Sequence, residues 1–140
     1  MPARSSFDYA IIRVMPEVER GECVNVGVVL ICRPRRYLGM RLAIDDARLL
    51  ALWPPLDIVA VRSQLDGILR VAEGDAAAGP IARLSQAERF HWLVAPSSTI
   101  IQPSPVHSGL CAEPAAALDA LMERLVALPA PEQPANPTEE

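Results

Sequence analysis

Three apolar segments in the first third of the chain have the pattern of β-strands. Phe7 to Met15 is rich in aromatic and β-branched residues, and Pro16 ends it because proline has no backbone N–H to donate. Val24 to Cys32 is almost continuously apolar, which is typical of a strand covered on both faces or crossing the core. A turn at residues 33–36 leads into Tyr37 to Ala43. This order predicts an antiparallel meander.

Helical spacing follows the meander and returns near the end of the chain. Asp45-Asp46 predicts an N-cap for a short helix from Ala47 to Leu52. A longer helix is predicted after Pro55, with an apolar stripe on one side and a charge ladder on the other. The stripe is Ile58, Val61, Leu65, Ile68 and Ala72, and the ladder is Arg62, Asp66 and Arg70. A last helix is predicted from Pro114 to a stop at Pro129.

Between the long helix and the last one, Phe90 to Ala95 and Thr99 to Gln102 predict a second hairpin. The predicted fold is α+β, an antiparallel sheet of about five strands with helices packed on one face. A chain of 140 residues, 51% hydrophobic, is long enough for one domain with a buried core, which we place at residues 1–128. Residues 129–140 contain four Pro and predict a disordered tail.

Charge and cysteine content narrow the classes of function. The formal net charge is −4, yet residues 1–128 carry 13 Arg and 14 acidic side chains, a balance that does not favour nucleic-acid binding. The three cysteines lack the paired spacing of a zinc site or a disulfide framework, and no phosphate-loop or dinucleotide motif occurs, so no cofactor is expected. The longest apolar run, Val26 to Cys32, is far shorter than the ~20 residues of a membrane helix. A cytoplasmic protein that does not enter the membrane is expected.

Two groups of polar residues interrupt apolar sequence far apart in the chain. The first is Arg13, Arg20, Glu22 and Asn25, and the second is Gln102, Ser104 and His107. An unpaired polar group in such surroundings costs about 1–3 kcal/mol, so each side chain needs a partner in the protein or on a ligand. Both groups stand at strand ends, so we expect them on neighbouring strands and take all seven as candidate binding residues. No catalytic or metal-binding residue is assigned.

Several of these residues have both a structural and a binding interpretation. Strand alternation puts Asn25 on the same covered face as Gly27, where its amide either clasps a loop or contacts a ligand, and internal pairing favours the clasp. Arg13 and Arg20 suit a carboxylate or phosphate, but Glu22 is close enough for an ion pair with Arg20, which is favoured.

His107 is predicted to lie in a loop after a strand end, where functional residues often occur. We interpret it first as structural, then as a binding residue and last as a general base, because no nucleophile motif accompanies it.

The polar groups and the apolar residues around them carry a family resemblance. The matching pieces are Tyr9-Ala-Ile-Ile-Arg13 with Pro16, Arg20-Gly-Glu22 leading to Asn25-Val-Gly27-Val28, and Phe90 and Trp92 leading to Gln102-Pro-Ser104-Pro-Val-His107. Through them the chain resembles the bacterial domain-of-unknown-function family 3037 over roughly residues 7 to 127. The resemblance implies no established activity. Family members are often encoded beside proteins resembling HipA-like kinases, which implies a protein partner of that kind. Related sequences commonly have a basic residue where this chain has Ser97, so an anion site that relied on it is not supported.

We therefore predict a non-catalytic binding or adaptor module that acts with a protein partner, a HipA-like kinase being the one the resemblance implies. A small anionic ligand is left open. The alternative is a small hydrolase or transferase acting on a phosphorylated or nucleotide substrate. Its pocket would be formed by Arg13, Arg20, Glu22, Asn25 and His107. A base, a nucleophile or metal and a substrate cleft in mutual reach would favour the enzyme.

Overall fold

A computed structural model describes residues 3–96 and 99–129 of the chain. The strands are β1 (Ser5–Val14), β2 (Val24–Cys32), β3 (Tyr37–Leu42), β4 (Ile101–Pro103) and β5 (His107–Cys111). The helices are α1 (Asp46–Leu52), α2 (Ile58–Glu73), α3 (Gln86–Leu93) and α4 (Pro114–Leu125). The five strands form one antiparallel sheet, which confirms the α+β class and the predicted meander. The predicted tail lies outside the described residues from position 130 onward.

β2 and β1 lie at the centre of the sheet. Two short strands pair with different parts of β1, on the side that faces away from β2. β4 pairs with Ile12–Val14, and β5 pairs with Ser5–Tyr9. Three residues, 104–106, separate β4 from β5, so the two strands form one interrupted edge along β1. On the other side of the sheet, β3 pairs with β2.

Helices pack on both faces of the sheet, which corrects the expectation that they share one face. Along β2, Val29 and Ile31 pack with α1, α2 and α3, whereas Val28 and Leu30 pack with α4. All four side chains are buried. Because successive side chains of a strand point to opposite faces, the continuous apolar run of β2 needs cover on both. We call these the α2 face and the α4 face.

The segment predicted as the first strand of the second hairpin, Phe90 to Ala95, is instead mostly helix α3. Ser85 begins this helix: its Oγ accepts a hydrogen bond from the backbone N–H of Glu88 at 3.2 Å and donates to the Glu88 carboxylate at 2.9 Å. That arrangement resembles a capping box, because the Ser85 hydroxyl bonds with both the backbone N–H and the carboxylate of Glu88. Phe90 and Leu93 are both buried, at helical spacing. The strand interpretation was wrong because a short apolar run fits either structure, and the capping signal upstream decides between them.

Candidate functional site

Three of the seven candidate residues lie side by side across three strands. Arg13 on β1 pairs with Asn25 on β2 and with Gln102 on β4. Since Ile12 and Val14 face the α2 side, the side chain of Arg13 between them points to the α4 face. Neighbouring strands are about 4.8 Å apart, so Asn25 and Gln102 flank Arg13 closely. The sheet thus joins members of both polar groups.

The guanidinium of Arg13 is used within the sheet. Its Nε donates to the carbonyl oxygen of Gln102 at 3.3 Å, and its Nη2 donates to that of Pro103 at 3.0 Å. Both acceptors belong to β4, which has only three residues. The forked guanidinium therefore fastens this short edge strand to β1.

The amide of Asn25 ties the sheet to a helix. Its Nδ2 donates to the carbonyl oxygen of Leu125 at 3.0 Å, and Leu125 is the last residue of α4. The last four carbonyls of a helix have no partner within the helix, so this bond satisfies one of them. The contact is the structural clasp favoured from the sequence, made to a helix end rather than to a loop.

A β-bulge decides which way Asn25 points. Ile12 and Arg13 are consecutive in β1, but their partners in β2 are Gly27 and Asn25, so Val26 is an extra residue. The bulge sends Asn25 to the α4 face, whereas simple alternation put it on the face of Gly27. The predicted orientation was wrong because alternation assumes an uninterrupted register.

Ser104 lies in the gap between β4 and β5 and bonds to the backbone of β1 in place of a regular strand pair. It is buried, and its Oγ accepts a hydrogen bond from Ile11 N at 2.8 Å and donates to Pro105 O at 2.9 Å. Its own N–H donates to Ile11 O at 2.8 Å. Ser104 therefore keeps the chain bonded to β1 where regular pairing stops.

Arg20 and Glu22 pair with each other in the loop between β1 and β2. Nε of Arg20 donates to Oε1 of Glu22 at 2.8 Å, and Nη2 binds the same oxygen. The side chains are 58% and 49% exposed, so solvent weakens the attraction. The guanidinium carbon also lies 6.0 Å from the ring centre of Trp53. The ion pair expected from the sequence is confirmed.

His107 lies apart from the other candidates. It begins β5, opposite Tyr9, and the two ring centres are 5.4 Å apart. Tyr9 and Arg13 are four residues apart on β1, which corresponds to about 13 Å along a strand. The position of His107 on a strand corrects its predicted place in a loop. The seven residues therefore lie in three places. Arg13, Asn25, Gln102 and Ser104 lie around the β1–β4 pair, Arg20 and Glu22 form an ion pair in a loop, and His107 lies apart.

A cleft of about 580 Å³ opens on the α2 face, and sequence reasoning missed it. Its described walls come from α2, α3, residues 78–81, residues 95, 96 and 99 and the β1–β4 pair. The lining includes Ile12, Ile68, Val71, Trp92, Leu93 and Ile101. None of the seven candidate residues is part of this lining. The capping signal at Ser85 would have placed Trp92 on a helix, so the mistaken strand hid the cleft.

The outer edge of the sheet at β5 is a second exposed feature. Within the described part of the chain, β5 pairs with β1 and with no other strand. Leu110 is 65% exposed, and Val106, just before the strand, is 45% exposed. An edge strand that carries an exposed apolar side chain is a template for pairing with another chain.

Two titrating groups near β5 have shifted pKa values. The pKa of Asp8 is lowered, first by the hydrogen bond from Ser108 Oγ, at 2.7 Å, and further by Arg33, whose Nη1 lies 3.0 Å from the other carboxylate oxygen. Burial raises the pKa of the Cys111 thiol, and the neighbouring Cys32 adds to this effect.

The described residues contain no group of three His, Cys, Asp or Glu side chains that could hold a metal ion. Asp45 caps α1 by accepting a hydrogen bond from Arg48 N, and Asp46 forms an ion pair with Arg62.

No helix in residues 3–96 or 99–129 combines the length and apolar character needed to span a membrane.

Fold and site together define a small α+β protein whose polar side chains fasten its sheet and whose α2 face carries an apolar cleft. The chain belongs to the family described as Protein of unknown function (DUF3037), whose sequence model matches residues 9–126. The resemblance stated from the sequence is thereby confirmed. No curated protein and no solved structure matches the chain.

Proposed function

We propose that the chain is a non-catalytic binding module that recognises a protein partner by pairing an extended segment of that partner with β5. The observation that carries the proposal is the edge formed by β5, hydrogen-bonded on one side to β1 and bearing the exposed Leu110. In strand addition, main-chain hydrogen bonds supply affinity and neighbouring side chains supply specificity. Leu110 and Val106 would supply apolar contacts.

The resemblance to the family points to a HipA-like kinase as the first partner to test, with this chain acting as its adaptor. We place the complex in the cytoplasm, where Cys23, Cys32 and Cys111 would remain the free thiols that they are in the structure.

The positions of the polar residues support binding over catalysis. Arg13 is engaged by two carbonyl oxygens of β4, and Arg20 by Glu22. An added phosphate would have to compete with these partners. His107, the residue considered as a base, does not line the cleft. The hydrolase or transferase alternative needs a base beside a substrate recess.

The test uses the purified chain and a purified HipA-like kinase. Replacing Leu110 with Lys places a charge on the β5 edge and should weaken binding at least ten-fold. Val59 is 79% exposed on α2, so Val59→Lys is the matched control and should bind like the parent. Hydrogen exchange supplies a second readout, because amides of residues 107–111 should be protected in the complex.

Equal affinities for the parent and Leu110→Lys would refute docking at β5. Loss of affinity in both variants would indicate a nonspecific effect of charge. If the parent does not bind this kinase, the partner is a different protein, and the β5 assignment must then be tested by capture with the same two variants.

A further inference from the structure

We infer that the cleft between α2, α3 and β4 is a binding site for a small, neutral, largely apolar molecule. This inference is independent of the proposed pairing at β5, because the cleft is lined neither by residues of β5 nor by Val106. It rests on the cleft's size, its uncharged lining and one glycine that the fold does not require.

The cleft has the size of a small-molecule site. The volume of about 580 Å³ lies within the roughly 300–1,000 Å³ typical of small-molecule sites. For comparison, an apolar cavity of about 150 Å³ accommodates benzene. Ile12 of β1 and Ile101 and Pro103 of β4 are among the lining residues. The floor of the recess is therefore formed by the sheet, which suits a compact ligand better than a flat protein surface.

The described lining of the cleft is uncharged and mostly apolar. No described residue that lines the cleft is charged, and Gln64 and Thr99 supply its polar side chains. An ionised ligand would enter without a counter-charge, and burying an unpaired charge is strongly unfavourable. Trp92, 44% exposed, offers an aromatic surface that a ligand could cover. The lining therefore selects a neutral apolar or aromatic molecule.

Gly67 is a glycine for which the fold gives no packing reason. It lies within α2 and lines the cleft, and a Cβ built on it would meet no atom within 4 Å. Each of the six other glycines has a local reason. Gly21, Gly74 and Gly79 have positive φ angles, and a Cβ on Gly27, Gly39 or Gly109 would come within 3.0 Å of a neighbour.

Glycine inside a helix is unfavourable relative to alanine, so a glycine without a packing reason needs another explanation. A ligand seated against the backbone of α2 would occupy the space that a side chain at position 67 would fill.

The test uses two dyes that differ in one charged group. N-phenyl-1-naphthylamine is neutral, and 8-anilinonaphthalene-1-sulfonate adds a sulfonate to the same ring system. The chain has two tryptophans, so with Trp53 replaced by Phe the tryptophan emission comes from Trp92 alone and reports on the cleft. We expect the neutral dye to bind at a single saturable site, to change the Trp92 emission and to bind at least ten-fold tighter than the sulfonate.

Three variants locate the site. Gly67→Leu fills the cleft mouth and should weaken binding of the neutral dye at least ten-fold. Ala120→Leu adds the same side chain at an exposed position of α4, on the opposite face, and should bind like the parent. Gly67→Ala should raise the melting temperature, because the fold itself has no need of glycine there. Circular dichroism and melting curves of Gly67→Leu establish that it is folded.

Equal binding of the neutral dye to parent and folded Gly67→Leu would overturn the proposal, as would equal affinity for the two dyes or no saturable binding to the parent. If Gly67→Leu does not fold, Trp92→Ala takes its place, with the same ten-fold loss expected. A protein partner that perturbs Trp92 and loses affinity in the cleft variant, with no small molecule doing so, would identify a protein-docking groove instead.

Discussion

Asn25 and Leu125, separated by 100 positions in the chain, are joined by a hydrogen bond of 3.0 Å from Nδ2 to the carbonyl oxygen. The bond connects the bulged start of β2 to the C-terminal end of α4. It shows how a polar residue in an apolar strand can serve the fold, because its partner is a helix carbonyl that would otherwise lack a donor.

Replacing Asn25 with Ala should lower the free energy of unfolding by about 1–3 kcal/mol, since the Leu125 carbonyl loses its donor. Urea denaturation measures the change. Asn25→Asp is the isosteric control and should lose at least as much stability, because a carboxylate oxygen would then face the carbonyl oxygen of Leu125 and neither can donate. If Asn25→Ala is as stable as the parent but no longer recovers a partner in a pull-down, Asn25 is a recognition residue and the clasp is unimportant.

Replacing Arg13 with Lys keeps the charge but removes the fork that reaches two carbonyl oxygens. We expect a loss of about 1 kcal/mol and a local loosening of β4. Hydrogen exchange should become faster at Met15 N and Ser104 N, which bond across the β1–β4 pair. The amides between β2 and β3 serve as the internal control. Uniformly faster exchange would mean that Arg13 stabilises the whole sheet.

Gly27 is required by the close approach of β3. A Cβ at this position would lie 2.5 Å from Arg41 O and 2.6 Å from Leu42 Cδ2. Gly27→Ala should therefore destabilise the protein by about 1–3 kcal/mol, the usual cost of overpacking. Gly67→Ala is the matched control, because it adds the same methyl group where nothing is within 4 Å. Equal melting temperatures for the two variants would contradict this account.

Asp8 should make stability depend on pH in the acid range. Its folded pKa is lowered from the ordinary 3.8, so its contribution is present above the unfolded pKa and is lost as the pH falls through the folded value. Asp8→Asn should be less stable than the parent at pH 7, and the difference should shrink below about pH 4. Urea denaturation across this range measures it. A difference that stays constant with pH would exclude the carboxylate as its source.

Deletion of residues 129–140 should leave the melting temperature almost unchanged, because a Pro-rich polar segment can bury little apolar surface. The parent and the truncated chain are compared by thermal denaturation under the same conditions. A decrease of more than a few degrees would show that the tail packs against the domain.

The sequence determined the elements whose signals are local. β1, β2 and β3 lie within a residue or two of their predicted bounds, because apolar runs, Pro16 and the turn at residues 33–36 act over short distances. Asp45 caps α1, and Pro114 begins α4, as their residue types favour. The apolar run of β2 also indicated cover on both faces.

Only the tertiary structure decided how these elements meet. The side of Asn25 depends on a bulge at Val26, and a one-residue change of register reverses the face of a side chain. The face of the sheet on which α4 packs depends on the route of the backbone that leads to α4. The apolar stripe of α4 does not determine that face. The cleft exists because α2, α3 and β4 leave space between them, and an apolar residue has the same sequence pattern whether it fills a core or lines a recess. Local propensity acts through neighbours in the chain, whereas register, face and cavity depend on contacts between residues far apart in it.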